Sequence, residues 1–395
     1  MHDHPINDAI QLTNGAFYAA DPHAHFAWMR AHAPLYWDAA GQVWGVTRYR
    51  DVLALSRDTQ TFRSGGGIRP DQPPLPYMVD MDDPDHRKRR ALVSRGFTPR
   101  RVAEREPRIR EICVGLIEKA KARGRFDFVG DVAAWLPLVV IGDMLGVDEA
   151  DHARLLEWSE ALILGAGATT PERLLGAAAA FEEYLAYQRA VIADRHAHPR
   201  DDLVSVLVHA EIDGERLSDE GLLMESLLIL IGGDETTRHV LSGGMYELLR
   251  HPEQWRALAR EPGRIAVAVE EMLRWVSPIQ NMARTATRDV TLHGQSIEAG
   301  QKLLLLYPSA NRDDAVFPDP SRFDAARTPN DHVAFGIGAH FCLGASLARL
   351  ELRVFFEELA QRMPELALAD AEPPPRRASN FISGIEHLPV EWRPA

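Results

Sequence analysis

A chain of 395 residues, 46% hydrophobic and 26% charged, has the make-up of a globular protein able to bury a large core. Its 57 acidic and 44 basic residues give a formal net charge of −13, which speaks against nucleic acid as a partner. Only Cys113 and Cys342 are cysteines, so a disulfide framework is excluded and a reducing, cytoplasmic compartment is expected.

The opening Met1-His2-Asp3-His4-Pro5 has neither the basic nor the apolar segment of a signal peptide. Val43 to Thr47 reads as a strand, and the proline-rich stretch 69–76 as a loop. Asp83 to Arg90 opens a helix with His86 and Arg90 one turn apart. Between them Arg87, Lys88 and Arg89 read as a solvated face, with a docking patch for an acidic electron donor as the second reading. Cys113 lies in an apolar helical run and reads as a small core residue.

The next helix is unusual. Ser218 is a good N-cap, Asp219 and Glu220 fill the first turn, and the pattern continues to Arg250, about 48 Å at 1.5 Å per residue. Leu227 to Ile231 is apolar all round, so this helix should cross the interior, yet the run is far shorter than a membrane span. Directly after it come Gly232-Gly233-Asp234-Glu235-Thr236-Thr237. Two glycines cost about 1 kcal/mol each in a helix, and a buried acid needs a partner. Such a concession in a central helix points to a functional site.

Glu271 and Arg274 follow, spaced to pair on one helix face. Val290 to Leu292 reads as a strand turning at His293-Gly294, with a second turn near Ala299-Gly300 and a strand over Lys302 to Tyr307. The stretch 372–375 is a proline-rich loop, and from Phe381 onward the chain returns as strand or loop. No repeat or linker divides residues 1–395, which read as a single domain.

The most telling segment is Phe335-Gly336-Ile337-Gly338-Ala339-His340-Phe341-Cys342-Leu343-Gly344, set just before a helical run that begins at Ala345. A thiolate there would face the free N–H groups of the helix's first turn. The glycines let something broad and flat approach the backbone. A cysteinate held in this way is what a haem iron needs as an axial ligand. No H-E-x-x-H zinc motif occurs, and no G-x-G-x-x-G follows a strand, so electrons would have to arrive from another protein.

This loop resembles the haem-ligand signature of the cytochrome P450 monooxygenases, F-x-x-G-x-H-x-C-x-G, at every fixed position. Gly232 to Thr236 resembles the same family's [AG]-G-x-[DE]-T motif, and Asp83 to Arg90 its D-P-x-H-x-x-x-R. The resemblance implies a mainly α fold with small β-sheets, a helix-rich lobe and a smaller β-rich lobe around a buried haem b (iron protoporphyrin IX). It makes Cys342 the iron ligand, with Phe335, Gly336 and Gly344 in the cofactor loop, and gives the propionates to His86, Arg90, Arg284 and His340. Glu235 and Thr236 become the acid and hydroxyl of proton delivery. Glu271, Arg274 and Arg327, with Arg322 as the alternative third member, become a structural ion-pair set. Ferredoxin and ferredoxin reductase would pass electrons from NAD(P)H, and dioxygen would hydroxylate an unactivated C–H bond.

Further stretches, among them Gly66 to Gln72, Ile212 to Ser218 and Asn380 to Gly384, resemble bacterial steroid side-chain hydroxylases acting at the terminal carbon of cholesterol or cholest-4-en-3-one. The pocket residues this implies are Ile68, Leu75, Met78, Val79, Gly232, Ile279, Gln280 and Phe381, roofed by the alanine-rich stretch 160–187. The alternatives are a monooxygenase of fatty acids or terpenes, a haem-thiolate sensor or carrier without turnover, and a colourless thiol hydrolase using Cys342. A sensor has no need of Glu235 and Thr236.

Overall fold

Fifteen α-helices carry most of the described chain in the computed structural model, which describes residues 4–165 and 171–392. Residues 166–170 of the expected roof lie outside the described residues; the helices His152–Gly165 and Pro171–Ala197 flank them. The central helix spans Asp219–Arg250, and the Ser218 hydroxyl accepts the Gly221 N–H at 3.1 Å as its cap. It packs on the helices Trp135–Met144, Pro171–Ala197, Ile265–Val276 and Ala345–Arg362, which bury it from several sides. The glycine pair does not interrupt it. A Cβ at Gly233 would come within 2.5 Å of Ile141, whereas a Cβ at Gly232 would meet nothing within 4 Å. One glycine therefore serves close packing, and the other leaves open space.

A five-stranded sheet forms the second lobe, in the order Leu35–Asp38, Val43–Val46, Lys302–Leu305, Met282–Ala286 and Phe62–Arg63. Val43–Val46 and Lys302–Leu305 run parallel, and the other neighbours are antiparallel. The predicted strand at Lys302 stops at Leu305, and Tyr307 instead opens the short helix Tyr307–Ala310. The hairpin Val290–Leu292 with Gln295–Ile297 turns at His293 and Gly294, with φ of 50° and 75°, the left-handed pair such a tight turn demands. Pro389–Trp392 pairs with Arg125–Asp127 and Leu366–Leu368, so the C-terminal stretch does return as a strand. The largest apolar core lies among the helices and includes Cys113, which is fully buried; two smaller cores back the sheet. Among the described residues no helix is long and apolar enough to cross a membrane.

Candidate active site

Between the central helix and the cysteine loop lies a cavity of about 1500 Å³, its open mouth included. Leu228, Gly232 and Thr236 line one side, and Phe335, Cys342 and Leu343 the other. The loop is fixed by its own backbone: the Cys342 N–H donates to the Phe335 carbonyl at 2.9 Å. Gly338 has φ +77°, and a Cβ there would stand 2.9 Å from the Ser56 carbonyl oxygen, so both conformation and space call for glycine. The Cys342 side chain is reached from the cavity although protein surrounds it.

The helix N-terminus favours the charged sulfur, as expected, but does not by itself make a thiolate. The N–H groups of Gly344 and Ala345 and the cations Arg90 and Arg349 do stabilise the anion, but burial outweighs them and holds the thiol above its ordinary pKa. A metal on the cavity side would complete what these donors begin, since a coordinating thiol is deprotonated outright. Among the described residues no group of three or more His, Cys, Asp or Glu side chains could hold a metal ion. A metal at this sulfur would therefore need a cofactor to supply its remaining ligands.

The residues beside the loop ask for an anion. Arg284 is 3% exposed, donates through Nη1 to the neighbouring Ala283 carbonyl at 2.8 Å, and leaves Nε without a partner. Arg90 donates through Nη2 to the Phe341 carbonyl at 2.5 Å. The rings of His86 and His340 stack with centroids 4.0 Å apart; His86 Nε2 has no partner, and His340 Nε2 lies 3.1 Å from Ser64 Oγ. Burial, with Arg284, His86 and Arg90 nearby, pushes His340 down to about 3, so this imidazole is neutral. Neither Arg90 nor Arg284 forms an ion pair within the described protein. A buried guanidinium facing a cavity without an anion is costly, and carboxylates of a bound group would satisfy it. Haem, with two propionates and an iron that can take a thiolate, fits this donor set.

Thr236 and Glu235 are neighbours in sequence but lie on different sides of the central helix. Thr236 faces the cavity, and its hydroxyl donates to the Gly232 carbonyl at 2.7 Å. Glu235 is fully buried behind it. Its Oε2 accepts from Arg377 Nη1 at 2.7 Å and lies 3.1 Å from His239 Nε2; its Oε1 accepts from Arg238 at 3.2 Å. Burial alone would raise this carboxyl, but His239, Arg377 and Arg238 hold it down at about 2. Its neighbour Asp234 accepts from Ser159 at 2.6 Å and is pushed the other way, to about 7, by burial and the Glu235 charge. Sequence reasoning missed Arg377 and His239. The i, i+4 spacing of Glu235 and His239 was a readable signal; Arg377, 142 positions away, was not.

Glu271 bridges Arg274 and Arg327, and Arg322 contributes only its backbone carbonyl. A second carboxylate, unforeseen, holds the cysteine loop beside it: Glu270 accepts from Arg349 at 2.7 and 2.8 Å and lies 3.1 Å from His332 Nε2. Those two partners outweigh burial and hold Glu270 at about 2, and the Arg349 guanidinium also covers the Phe335 ring at 4.7 Å.

Of the expected pocket residues, Ile68, Met78, Val79, Gly232 and Ile279 line the cavity. Leu75, Gln280 and Phe381 do not. Leu75 sits at a loop tip, 37% exposed. The Gln280 amide turns back to the Ser277 and Pro278 carbonyls, each at 3.2 Å, and Phe381 lies under the Arg69 guanidinium at 4.7 Å. Ile229, Phe97 and Met282 are among the further apolar lining residues, which escaped the sequence reading. Of the expected solvated face, Lys88 pairs with Glu215 in solvent at 3.2 Å, but Arg89 turns inward to Glu225 at 3.4 Å.

Comparison with known proteins matches this architecture. The family description Cytochrome P450 fits residues 177–383. The chain is 49% identical over 391 residues to the steroid C26-monooxygenase of Mycolicibacterium smegmatis, covering 98% of this chain and 96% of that protein. It is 41% identical over 418 residues to the methyl-branched lipid omega-hydroxylase of Mycobacterium tuberculosis, covering 98% and 95%. The structure of CYP109E1 from Bacillus megaterium in complex with corticosterone superposes with a TM-score of 0.88 at 33% identity, covering 95% and 99%. Half-identity sustained over nearly the whole chain, on the same fold, leaves one assignment: the chain belongs to the cytochrome P450 family of haem-iron monooxygenases.

Proposed function

We propose that the protein hydroxylates the terminal side-chain carbon of a sterol or steroid such as cholest-4-en-3-one, with electrons from NAD(P)H relayed by a ferredoxin and its reductase. The observation that carries this reading is the near half-identity, end to end, with relatives named steroid C26-monooxygenase. The relative named methyl-branched lipid omega-hydroxylase likewise points to a lipid oxidised at a chain end. The cavity suits it: its walls are predominantly apolar, as a hydrocarbon chain requires, and the missing side chain at Gly232 leaves room beside Thr236.

In this reading Cys342 would hold the haem iron, and the N–H groups of Gly344 and Ala345 would stabilise its charge. His86, Arg90, Arg284 and His340 would hold its propionates. Haem, when bound, supplies the activation of dioxygen and the cleavage of the C–H bond. The chain's own tasks are to position the substrate, exclude bulk water and meter protons. Thr236 offers its hydroxyl at the cavity face. Glu235 acts from behind the helix, clamped by Arg377 and His239, and so serves as a positioning and charge-setting group rather than one touching substrate.

Adding cholest-4-en-3-one to the ferric protein is expected to shift the Soret band to shorter wavelength as active-site water leaves, and turnover should give the terminal alcohol. A shift with straight-chain fatty acids but none with sterols, or hydroxylation on the rings, would overturn the substrate class. Thr236→Ala is expected to keep haem and substrate binding while product formed per NAD(P)H falls about tenfold or more and hydrogen peroxide rises in its place. Thr236→Ser should recover most of the coupling. An alanine variant as tightly coupled as the parent would remove the proton role of this hydroxyl.

A further inference from the structure

One wall of the cavity is carried by a loop, and the way that loop is tied down singles out a residue no motif contains. Ile68, Met78 and Val79 line the cavity from the segment 68–80. Asp80 closes this segment on itself: one carboxylate oxygen accepts the Ile68 N–H at 2.7 Å and the other the Leu75 N–H at 2.9 Å. The outer rim is bound to the sheet lobe, where Lys302 Nζ donates to the Arg69 carbonyl and the Ala283 N–H to the Ile68 carbonyl, both at 2.7 Å. Toward the central helix the tie is Glu225. This carboxylate is fully buried, and its Oε1 accepts the Met78 N–H at 2.8 Å and faces Arg89 Nη1 at 3.4 Å.

Three features make this more than a packing detail. The Met78 N–H belongs to the first residue of the turn Met78–Asp80, a donor that the turn's own carbonyls cannot take. Glu225 precedes Leu228 and Ile229, which line the facing wall, by one helical turn, so it joins the two walls at their root. Its Oε2 has no partner among the described residues, and burial pushes the carboxyl up to about 7 against the pull of Met78 and Arg89. An apolar side chain there would avoid that cost.

We propose that Glu225 is a specificity-determining positioning residue: by holding the Met78 N–H it fixes the spacing between the Met78–Val79 wall and the Leu228–Ile229 wall, and so the width of the group that can lie between them. This rests on the cavity being the substrate pocket. The test uses probes of known width rather than the natural substrate. The haem-loaded protein and its Glu225→Ala and Glu225→Gln variants are titrated with 1-butylimidazole, which is thin, and 1-adamantylimidazole, which is broad. Binding is read from the red shift of the Soret band.

In Glu225→Ala the ratio of the broad to the thin ligand's Kd is expected to fall about tenfold, the scale of a lost charge-assisted hydrogen bond. In Glu225→Gln, whose amide oxygen still accepts the Met78 N–H, the ratio should stay within about twofold of the parent. An unchanged ratio in the alanine variant, or a glutamine variant as permissive as alanine, would overturn the assignment. Should the alanine variant fail to load haem, Glu225→Leu fills the space without accepting a hydrogen bond and carries the same comparison. A parent protein that ignores cholest-4-en-3-one sinks the sterol reading and leaves this ligand comparison intact.

Discussion

Replacing Cys342 by serine is expected to abolish the strongly red-shifted Soret band of the reduced carbon monoxide complex and to cut turnover by at least about a hundredfold. Even outer partners of a metal ligand cost 10- to 100-fold when removed, and in the proposed reading this residue is the ligand itself. No substitute stands nearby. The other thiol, Cys113, is fully buried in the helical core and does not line the cavity. The imidazole of His340 does line the cavity, but it is stacked on His86 at the cation cluster, with its Nε2 3.1 Å from Ser64 Oγ. Serine would meet the same two N–H donors of Gly344 and Ala345, but its hydroxyl ionises far less readily than a thiol already raised by burial. The protein should still fold, because the loop's shape rests on glycine conformations and on the backbone bond from residue 342 to Phe335. A serine variant that kept both band and turnover would refute the assignment of the ligand.

What the sequence made legible was local. The cysteine loop declares itself because glycine, cysteine and a helix start fall within ten residues, and the central helix because Ser218 caps a run that is apolar all round and then abruptly is not. The cation set around Arg284 was accessible only through resemblance, since residues 86, 90, 284 and 340 meet through tertiary packing. Short strands were harder still: Met282–Ala286 carries no clear alternation, and its place is set by pairing with Lys302–Leu305. The misreading of Arg89 is instructive because the period was there to use. If His86 faces inward, Arg89 at i+3 shares its face, and the basic run only looks uniformly solvated when read as a string. The tie from Glu225 to Met78 spans 147 positions and ends on a backbone N–H, which leaves no trace in the residue type.

The second large effect concerns Arg274. Its guanidinium is fully buried and meets Glu271 in a two-pronged pair, Nε to Oε2 and Nη2 to Oε1, both at 2.7 Å. The remaining donors reach the carbonyls of Asn311 at 2.8 Å, Pro320 at 3.0 Å and Arg322 at 3.3 Å, gathering the segment that leads into the cysteine loop. Glu271 in turn takes Arg327 Nε at 3.1 Å, Asn330 Nδ2 at 3.1 Å and the Asp324 N–H at 2.9 Å. Arg274→Ala therefore takes the two-pronged partner from a buried carboxylate, which keeps only Arg327 as a cation, and orphans several carbonyls at once; a loss of about 3–5 kcal/mol is expected. Arg274→Lys should rescue little, because an ammonium cannot reproduce the planar fork that serves four partners. Urea titrations followed in parallel by the Soret band and by far-ultraviolet circular dichroism check this, with haem release expected to precede loss of helix in the variant. The decisive comparison is the double replacement Glu271→Leu with Arg274→Leu, which removes both charges of the pair, leaves Arg327 to the carbonyls of Pro318, Asp319 and Arg322, and should cost less than the sum of the single changes. If the double variant is instead as costly as that sum, the two side chains act independently, and the pair does not organise the loop that carries Cys342.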